Sequence, residues 1–405
     1  MPIDPIVVTG LGLVTPVGVG RSAAWTRLLE GRSGIGPVES FDTSRHSVGI
    51  GGEVKETVDP HLSRLPTSIG RATRLAVTAA REALSDAGLG PTFGDDPRVG
   101  VAMGTTSGEP GLVEEMDDRW LAGELAGLGD GFLTHYPCHV IAAHLGEELE
   151  AAGPNVMLPA ACAAGNYAVG YAFDALTHRR ADVMLAGGAD AFSRITYTGF
   201  ARLGAIAPER CQPFDRHRRG MVPGEGAAIL VLERLSDARR RGARIYAEVA
   251  GYGLSCDAHH MTAAHPDGDG AARAMRQALG NAGLAPGEVS YVSAHGTGTP
   301  TNDKLETRAL QQVFGDRAST VPISSIKSMI GHTMGAASAI ESCISALAIA
   351  EGAVPPTINF EEPDPECPLD CVPNTARELP VDVVMNNAYA FGGNNASVIF
   401  RRVDG

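Results

Sequence analysis

Aromatic residues are scarce in this chain: Phe, Trp and Tyr make up 5 % of 405 residues. Charged residues are also modest at 20 %, against 44 % hydrophobic, so the chain has enough apolar material to fold. A core with so few rings must close through small-residue contacts, which suits a compact α/β protein. Positive charge is short as well. The formal net charge of −14 speaks against non-specific binding to nucleic acid or an anionic membrane, so neither is an expected partner. A local basic patch could still bind an acidic partner. Long hydrophobic runs are missing, because Gly, Pro or charge interrupts each one, and no membrane-spanning helix is predicted. The start, Met1-Pro-Ile-Asp-Pro, lacks the basic and apolar regions of a signal peptide; Ile6-Val-Val-Thr-Gly reads as a first strand.

The seven cysteines are scattered without close pairing, which fits a reducing cytoplasm. Cys138, Cys211, Cys256, Cys343, Cys367 and Cys371 are expected to be small structural residues. Cys138-His139 and the Cys367/Cys371 pair lack further ligands at metal-binding spacing, so no metal site is expected. Phosphate-cradling loops are absent, and no nucleotide is implied.

What the chain does have is 50 glycines and an alternation of short β-branched runs with Ala- and Leu-rich stretches. Strands are predicted over Val99–Met103, Val183–Ala186, Ala228–Leu232 and Val289–Ser293, and helices over Ile69–Ala87, Asn166–Leu176, Ala271–Ala282 and Ala336–Ala350. Two echoes suggest duplication. The strand entering Gly104-Thr-Thr-Ser resembles the one entering Gly296-Thr-Gly-Thr, and Gly224-Glu-Gly-Ala-Ala-Ile-Leu-Val-Leu-Glu-Arg resembles Gly392-Gly-Asn-Asn-Ala-Ser-Val-Ile-Phe-Arg-Arg. Two copies of one α/β unit would then meet near residue 250: an N-terminal half over 1–250 and a C-terminal half over 251–405.

In Val156-Met-Leu-Pro-Ala-Ala-Cys162-Ala-Ala-Gly, an apolar run gives way to small residues around a Cys that opens a helix. The helix dipole should stabilise a thiolate there and lower its pKa, and small neighbours would let a carbonyl approach the sulfur. A buried Cys among alanines is the plain alternative. His295 ends a strand in a Gly/Thr loop, and Lys327 and His332 share a Gly-flanked turn before a small-residue helix. A lone His is more often structural, but a nucleophile with two neutral imidazoles can attack a carbonyl and stabilise the charge that develops.

These segments resemble the β-ketoacyl-acyl-carrier-protein synthases, the elongating KAS II-like and type II polyketide ketosynthase branch in particular. The resemblance rests on Ala-Cys162, Ala294-His295-Gly-Thr-Gly-Thr-Pro, Lys327-Ser-Met-Ile-Gly-His332, Phe391-Gly-Gly, Asp257-Ala-His-His-Met-Thr and Val354-Pro-Pro-Thr-Ile-Asn-Phe, and it runs from Ile6 to Phe400. It implies a thiolase fold, α/β with a duplicated five-layer αβαβα core, whose N-terminal half bears the nucleophile and whose C-terminal half bears both histidines. It also implies that Cys162 accepts an acyl chain, that His295 and His332 drive decarboxylation of a malonyl thioester, and that Lys327 sets the electrostatics around His332. The N–H groups of Cys162 and Phe391 would form the oxyanion hole, and Thr297 and Thr299 would hold the pantetheine. Gly392, Ser107 and Phe132 fall with the substrate-binding residues. Glu341 matches an acidic position of the family, with buried support as its alternative role. The resemblance calls for no cofactor, since substrates arrive on the phosphopantetheine of an acyl carrier protein. That carrier is the expected partner, with Arg64, Arg71, Arg74, Arg202 and Arg218 (the last within Arg216-His-Arg218-Arg219) as docking candidates. A homodimer, or a heterodimer with a chain-length factor, is expected too.

The departures bear on substrate. Ala163 and Ala164 follow the nucleophile where polar residues are usual, and Ala390 and Asn394 interrupt the Gly-Phe-Gly-Gly-Thr-Asn pattern. Ser107 stands where a bulky aliphatic would shorten an acyl tunnel. A longer or more rigid chain, such as a polyene, is the expected substrate. The alternatives are a non-catalytic chain-length factor, which typically lacks the Cys, and a degradative thiolase, which uses a second C-terminal Cys as base.

Overall fold

Strand β1 (Ile6–Thr15), buried at every position, lies at the centre of an eleven-stranded sheet. The computed structural model describes residues 4–58, 62–124 and 130–403, so the first three residues of the N-terminal stretch lie outside it. After β1 the sheet takes β2 (Val99–Gly104), β3 (Asn155–Leu158), β4 (Val183–Asp190) and β5 (Gly226–Arg234). The C-terminal part adds β6 (Ala247–Cys256), β7 (Tyr291–Ser293), β8 (Ile323–Ser324), β9 (Val383–Tyr389) and β10 (Asn394–Arg401). Residue 250 falls inside β6.

The order across the sheet is β3-β2-β4-β5-β1, then β6-β10-β9-β7-β8, and the two-residue strand Gly18–Val19 pairs with β1 off this path as the eleventh. In the first half β1/β5 and β5/β4 are antiparallel, while β4/β2 and β2/β3 are parallel. The second half repeats this: β6/β10 and β10/β9 antiparallel, β9/β7 and β7/β8 parallel. β2 therefore corresponds to β7 and β5 to β10, and both sequence echoes fall on corresponding strands. The halves join through Ile6↔Val249, Val7↔Glu248 and Val8↔Ala247.

Helices complete the five layers. α1 (Arg71–Asp86) and α2 (Val140–Leu149) cover the first half-sheet, α3 (Ala164–Thr177) lies inside, and α4 (Arg194–Arg202) follows β4. α5 (Asp269–Ala282) and α6 (Pro300–Phe314) pack outside the second half, and α7 (Ala337–Glu351) lies inside against α3, β5 and β9. The predicted helices and strands match these elements, with ends shifted by a few residues. One apolar stretch is longer than the others. The stretch Met334–Glu351, 18 residues with mean hydropathy 1.3, is long and apolar enough to cross a membrane, yet it is 89 % buried within the protein. It is the core helix between the half-sheets. Ile340, Ile344, Leu347 and Ile349 on it are each no more than 1 % exposed, and each such burial stabilises by roughly 1.5–3 kcal/mol.

Small residues set the spacing of this inner layer. A Cβ on Gly165 of α3 would lie 2.4 Å from the Ala339 nitrogen of α7, and one on Gly104 would lie 2.4 Å from the Ala164 carbonyl carbon. The scarcity of aromatics thus has a structural counterpart: the central helices approach backbone to backbone.

Candidate active site

Each half ends its outer strand in a short turn that starts an inner helix. After β3, the 3₁₀ turn Ala161–Ala163 leads into α3; after β8, the turn Met334–Ala336 leads into α7. Ala161 (φ 49°) and Met334 (φ 53°) open these turns in the left-handed region, where non-glycine residues are strained. Cys162 sits in the first turn and His332 two residues before the second, and the duplication brings the two turns face to face. His295 follows β7.

Cys162, His295 and His332 line one cavity of about 390 Å³, together with Thr297, Thr299, Tyr389 and Phe391. The His295 and His332 rings stand 5.5 Å apart at 82°, and both residues are no more than 3 % exposed. Burial, assisted by the neighbouring Lys327 charge, holds both imidazoles well below the usual histidine range, so they are neutral. The Met334 N–H donates to His332 Nδ1 at 3.2 Å, which places the His332 proton on Nε2. The His332 backbone is fixed by its N–H to Val222 (2.6 Å) and by Gly224 N–H to its carbonyl (2.8 Å). The His295 loop is fixed by Glu306, whose two oxygens accept from the His295 and Gly296 N–H groups at 2.8 Å each. Burial raises that carboxyl to about 7.

Lys327 and Glu341 form an ion pair behind the histidines, 1 % and 2 % exposed. Glu341 therefore supports Lys327 from within the core. Asp190, at the end of β4, ties the two halves: its carboxylate accepts from Thr105 Oγ1 (2.9 Å), Thr106 N (2.8 Å), Ser107 N (2.9 Å) and Gly335 N (2.7 Å).

At Cys162 the loss of water works against the expected effect of the helix dipole. Burial pushes the thiol up to about 12, and the Lys327 charge only partly offsets this. Among the described residues, the Cys162 and Phe391 N–H groups take no backbone acceptor, which leaves them available to an oxyanion.

Models of the beta-ketoacyl synthase N-terminal and C-terminal domains match residues 3–238 and 246–361. The chain belongs to the β-ketoacyl synthase family. It is 40 % identical to the 3-oxoacyl-[acyl-carrier-protein] synthase 2 of Coxiella burnetii, over 98 % of each chain. It is 41 % identical to the tetracenomycin polyketide synthase ketoacyl synthase alpha subunit of Streptomyces glaucescens, over 98 % of this chain and 97 % of that one. The structure of the ishigamide ketosynthase/chain length factor superposes with a TM-score of 0.95 at 41 % identity, covering 99 % of this chain and 100 % of that one.

Within this synthase-family site, the expected residues separate into two groups. Cys162, His295, His332, Thr297, Thr299 and Phe391 share the cavity, and Lys327 lies behind it. Thr299 also caps α6, accepting from Asn302 N at 3.3 Å, and its hydroxyl lies 2.9 Å from that of Thr297. Gly392, Ser107 and Phe132 lie outside the cavity wall. Gly392 donates to the Met261 carbonyl (2.8 Å), Ser107 Oγ sits 3.3 Å from Thr196 Oγ1, and Phe132 stacks on Tyr136 at 5.0 Å.

One docking candidate is corrected. Arg218 is 7 % exposed and tied to Asp364 and, at 3.7 Å, to Asp303, so it faces the interior. Arg71 holds the buried Glu225 through two bonds of 2.7 Å. Arg64 pairs with Glu150 at 2.9 Å, and Arg74 donates to the Thr67 carbonyl. Arg202 is exposed beside Leu203 of the cavity, and Arg219, also exposed, is part of its wall. Sequence reasoning missed Tyr389, Glu306 and Asp190. The first reads as the end of a core strand, and the others as ordinary acids, until distant segments meet. Among the described residues no cluster of His, Cys, Asp or Glu is arranged to hold a metal.

Proposed function

We propose that this chain is an acyltransferase performing decarboxylative Claisen condensation, in which an acyl group on Cys162 is joined to a malonyl unit delivered by an acyl carrier protein. The observation that carries this reading is the convergence of Cys162, His295 and His332, from three chain segments, on one cavity. In the first step the Cys162 sulfur bonds the acyl carbon, its proton passes to a neutral imidazole, and the carrier's pantetheine thiolate leaves and is protonated. The developing oxyanion is held by the Cys162 and Phe391 N–H groups. In the second step the malonyl C–CO2 bond breaks. Its electron pair becomes an enolate whose oxygen receives the His332 Nε2–H, with His295 beside it. The enolate carbon then attacks the acyl carbon, the C–S bond breaks, and the released Cys162 thiolate takes one proton from solvent to regenerate the thiol. Burial, with the Lys327 charge beside it, returns each imidazole to the neutral form once its proton has moved on. No metal or diffusible cofactor is called for, because the acyl units ride on phosphopantetheine.

Polyketide or polyene synthesis is the pathway we favour, supported by Ala163, Ala390 and Asn394 and by the polyketide-synthase relatives. Arg202 and Arg219 are the docking residues in this reading, with Thr297 and Thr299 receiving the pantetheine. The division into a nucleophile half and a histidine half falls at about residue 250, best placed in the turn before β6. A second ketosynthase-like subunit, identical or a chain-length factor, covers the exposed Trp120, Leu121, Leu133 and Ile195. The seven unpaired cysteines suit the cytoplasm.

The test is intact-protein mass spectrometry after incubation with carrier proteins bearing different acyl chains. The parent should gain one acyl mass. Cys162→Ala should gain none and lose condensation, yet keep some decarboxylation of malonyl-carrier protein. A Cys162→Ala protein that condenses at the parent rate would overturn the assignment.

A further inference from the structure

One polar group in the cavity has no task in the reaction as described. Tyr389 ends β9, is 8 % exposed, lines the cavity beside Cys162 and His332, and has its ring 5.5 Å from that of His295. Its hydroxyl is buried without a protein partner among the described residues, and so is His295 Nδ1 on the neighbouring ring. A buried hydroxyl left unbonded costs about 1–3 kcal/mol, so such a group is retained where something else satisfies it.

The duplication supplies a comparison. At the corresponding end of β4 stands Asp190, whose carboxylate accepts from four protein donors. That position is structural in the first half. In the second half the strand corresponding to β4 ends instead in Tyr389, whose hydroxyl has no protein partner among the described residues and which lines the cavity.

We propose that the Tyr389 hydroxyl donates a hydrogen bond to the malonyl extender unit and so takes part in the decarboxylation half of the reaction. This rests on the condensation reading above. Burial, with the nearby Glu306 and Asp257 charges, pushes the phenol well above its usual value, so it remains a neutral donor. An acyl chain offers only its thioester carbonyl as an acceptor, and the Cys162 and Phe391 N–H groups already answer that oxygen. The malonyl unit brings a carboxylate as well as a carbonyl, and only one of these can be met by His332. A phenol packed on His295 is placed to meet the other acceptor.

The test is Tyr389→Phe, which removes one oxygen and keeps the ring against His295. Acyl loading of Cys162, followed by intact mass, should proceed at the parent rate. Condensation kcat/KM for malonyl-carrier protein should fall about three- to tenfold, the worth of one neutral hydrogen bond. Decarboxylation in a Cys162→Ala background, which needs no acyl chain, should fall by the same factor on adding Tyr389→Phe. The proposal is overturned if Tyr389→Phe keeps the parent kcat/KM for malonyl-carrier protein, or if loading and decarboxylation decline alike. Should Cys162→Ala itself still condense, it is the underlying reading that fails. If Cys162→Ala behaves as expected while Tyr389→Phe matches the parent, this inference alone fails.

Discussion

Replacing Lys327 with Met tests the electrostatic core of the site. Lys327 and Glu341 are 1 % and 2 % exposed, and Glu341 Oε2 already lacks a protein partner. Removing the ammonium strands a buried carboxylate, for which about 3–5 kcal/mol of destabilisation is expected. The carboxyl can limit that cost by taking a proton. Burial already raises Glu341 to about 7 with Lys327 present, and loss of the opposing charge raises it further. A carboxyl raised above its unfolded value contributes stability that is complete below about 4.5 and is lost as pH rises through the folded value. Parent and variant both lose stability between 4.5 and 7, but only the variant continues to lose it above 7, by up to ~1.4 kcal/mol per pH unit. Urea unfolding at pH 6 and pH 8 should therefore show a parent–variant gap that widens at pH 8. The double variant Lys327→Met/Glu341→Leu should recover most of the loss, since no charge remains buried. His332, freed of the neighbouring positive charge, should titrate closer to its ordinary value. A gap equal at both pH values, or a double variant no more stable than the single, would refute this account.

Because burial holds His295 and His332 neutral, decarboxylation by Cys162→Ala should keep its rate as pH falls through 6.5; an acid limb centred near 6.5 in the rate profile would contradict this. Arg219→Glu should raise the apparent KM for carrier protein, more strongly at low salt, without changing the melting temperature. Arg218→Ala should instead lower stability by about 3–5 kcal/mol with little salt-dependent effect on KM, because it strips Asp303 and Asp364 of their partner; a reversed pattern would return Arg218 to the docking surface. Gly165→Ala should cost about 1–3 kcal/mol or more in urea unfolding, since its methyl has to displace the Ala339 backbone; a neutral result would mean α3 and α7 are not in register as described.

The strands and inner helices were legible because their signals are local: β-branched runs, alanine-rich periodicity and glycine punctuation survive without knowledge of neighbours. Cys162, His295 and His332 were legible for the same reason, each at the tip of such an element. The misreadings all depend on segments far apart in the chain. Arg218 looks like surface charge, and only Asp303 and Asp364, brought in by other elements, turn it inward. The Cys162 thiol looks activated from its helix start alone, while its burial is a property of the assembled halves.

The duplication explains why one site can be built from two copies of a unit without being symmetric. One of the two corresponding turns carries Cys162 and the other is preceded by His332, so in the proposed reaction the fold brings a nucleophile and a proton donor to one cavity from opposite sides. Corresponding strand ends carry Asp190 and Tyr389, and these have diverged in role: the first is saturated with backbone donors and clamps the halves, the second is left unbonded at the cavity wall. The corresponding strands β2 and β7 run into Thr105 and His295, of which only the latter reaches the cavity. One copy therefore supplies the reactive sulfur and the rigid clamp, the other both imidazoles and the phenol. A substitution at Asp190 should disturb loading and decarboxylation together, whereas one at Tyr389 should separate them. That difference distinguishes a scaffold contact from a substrate contact at the ends of corresponding strands.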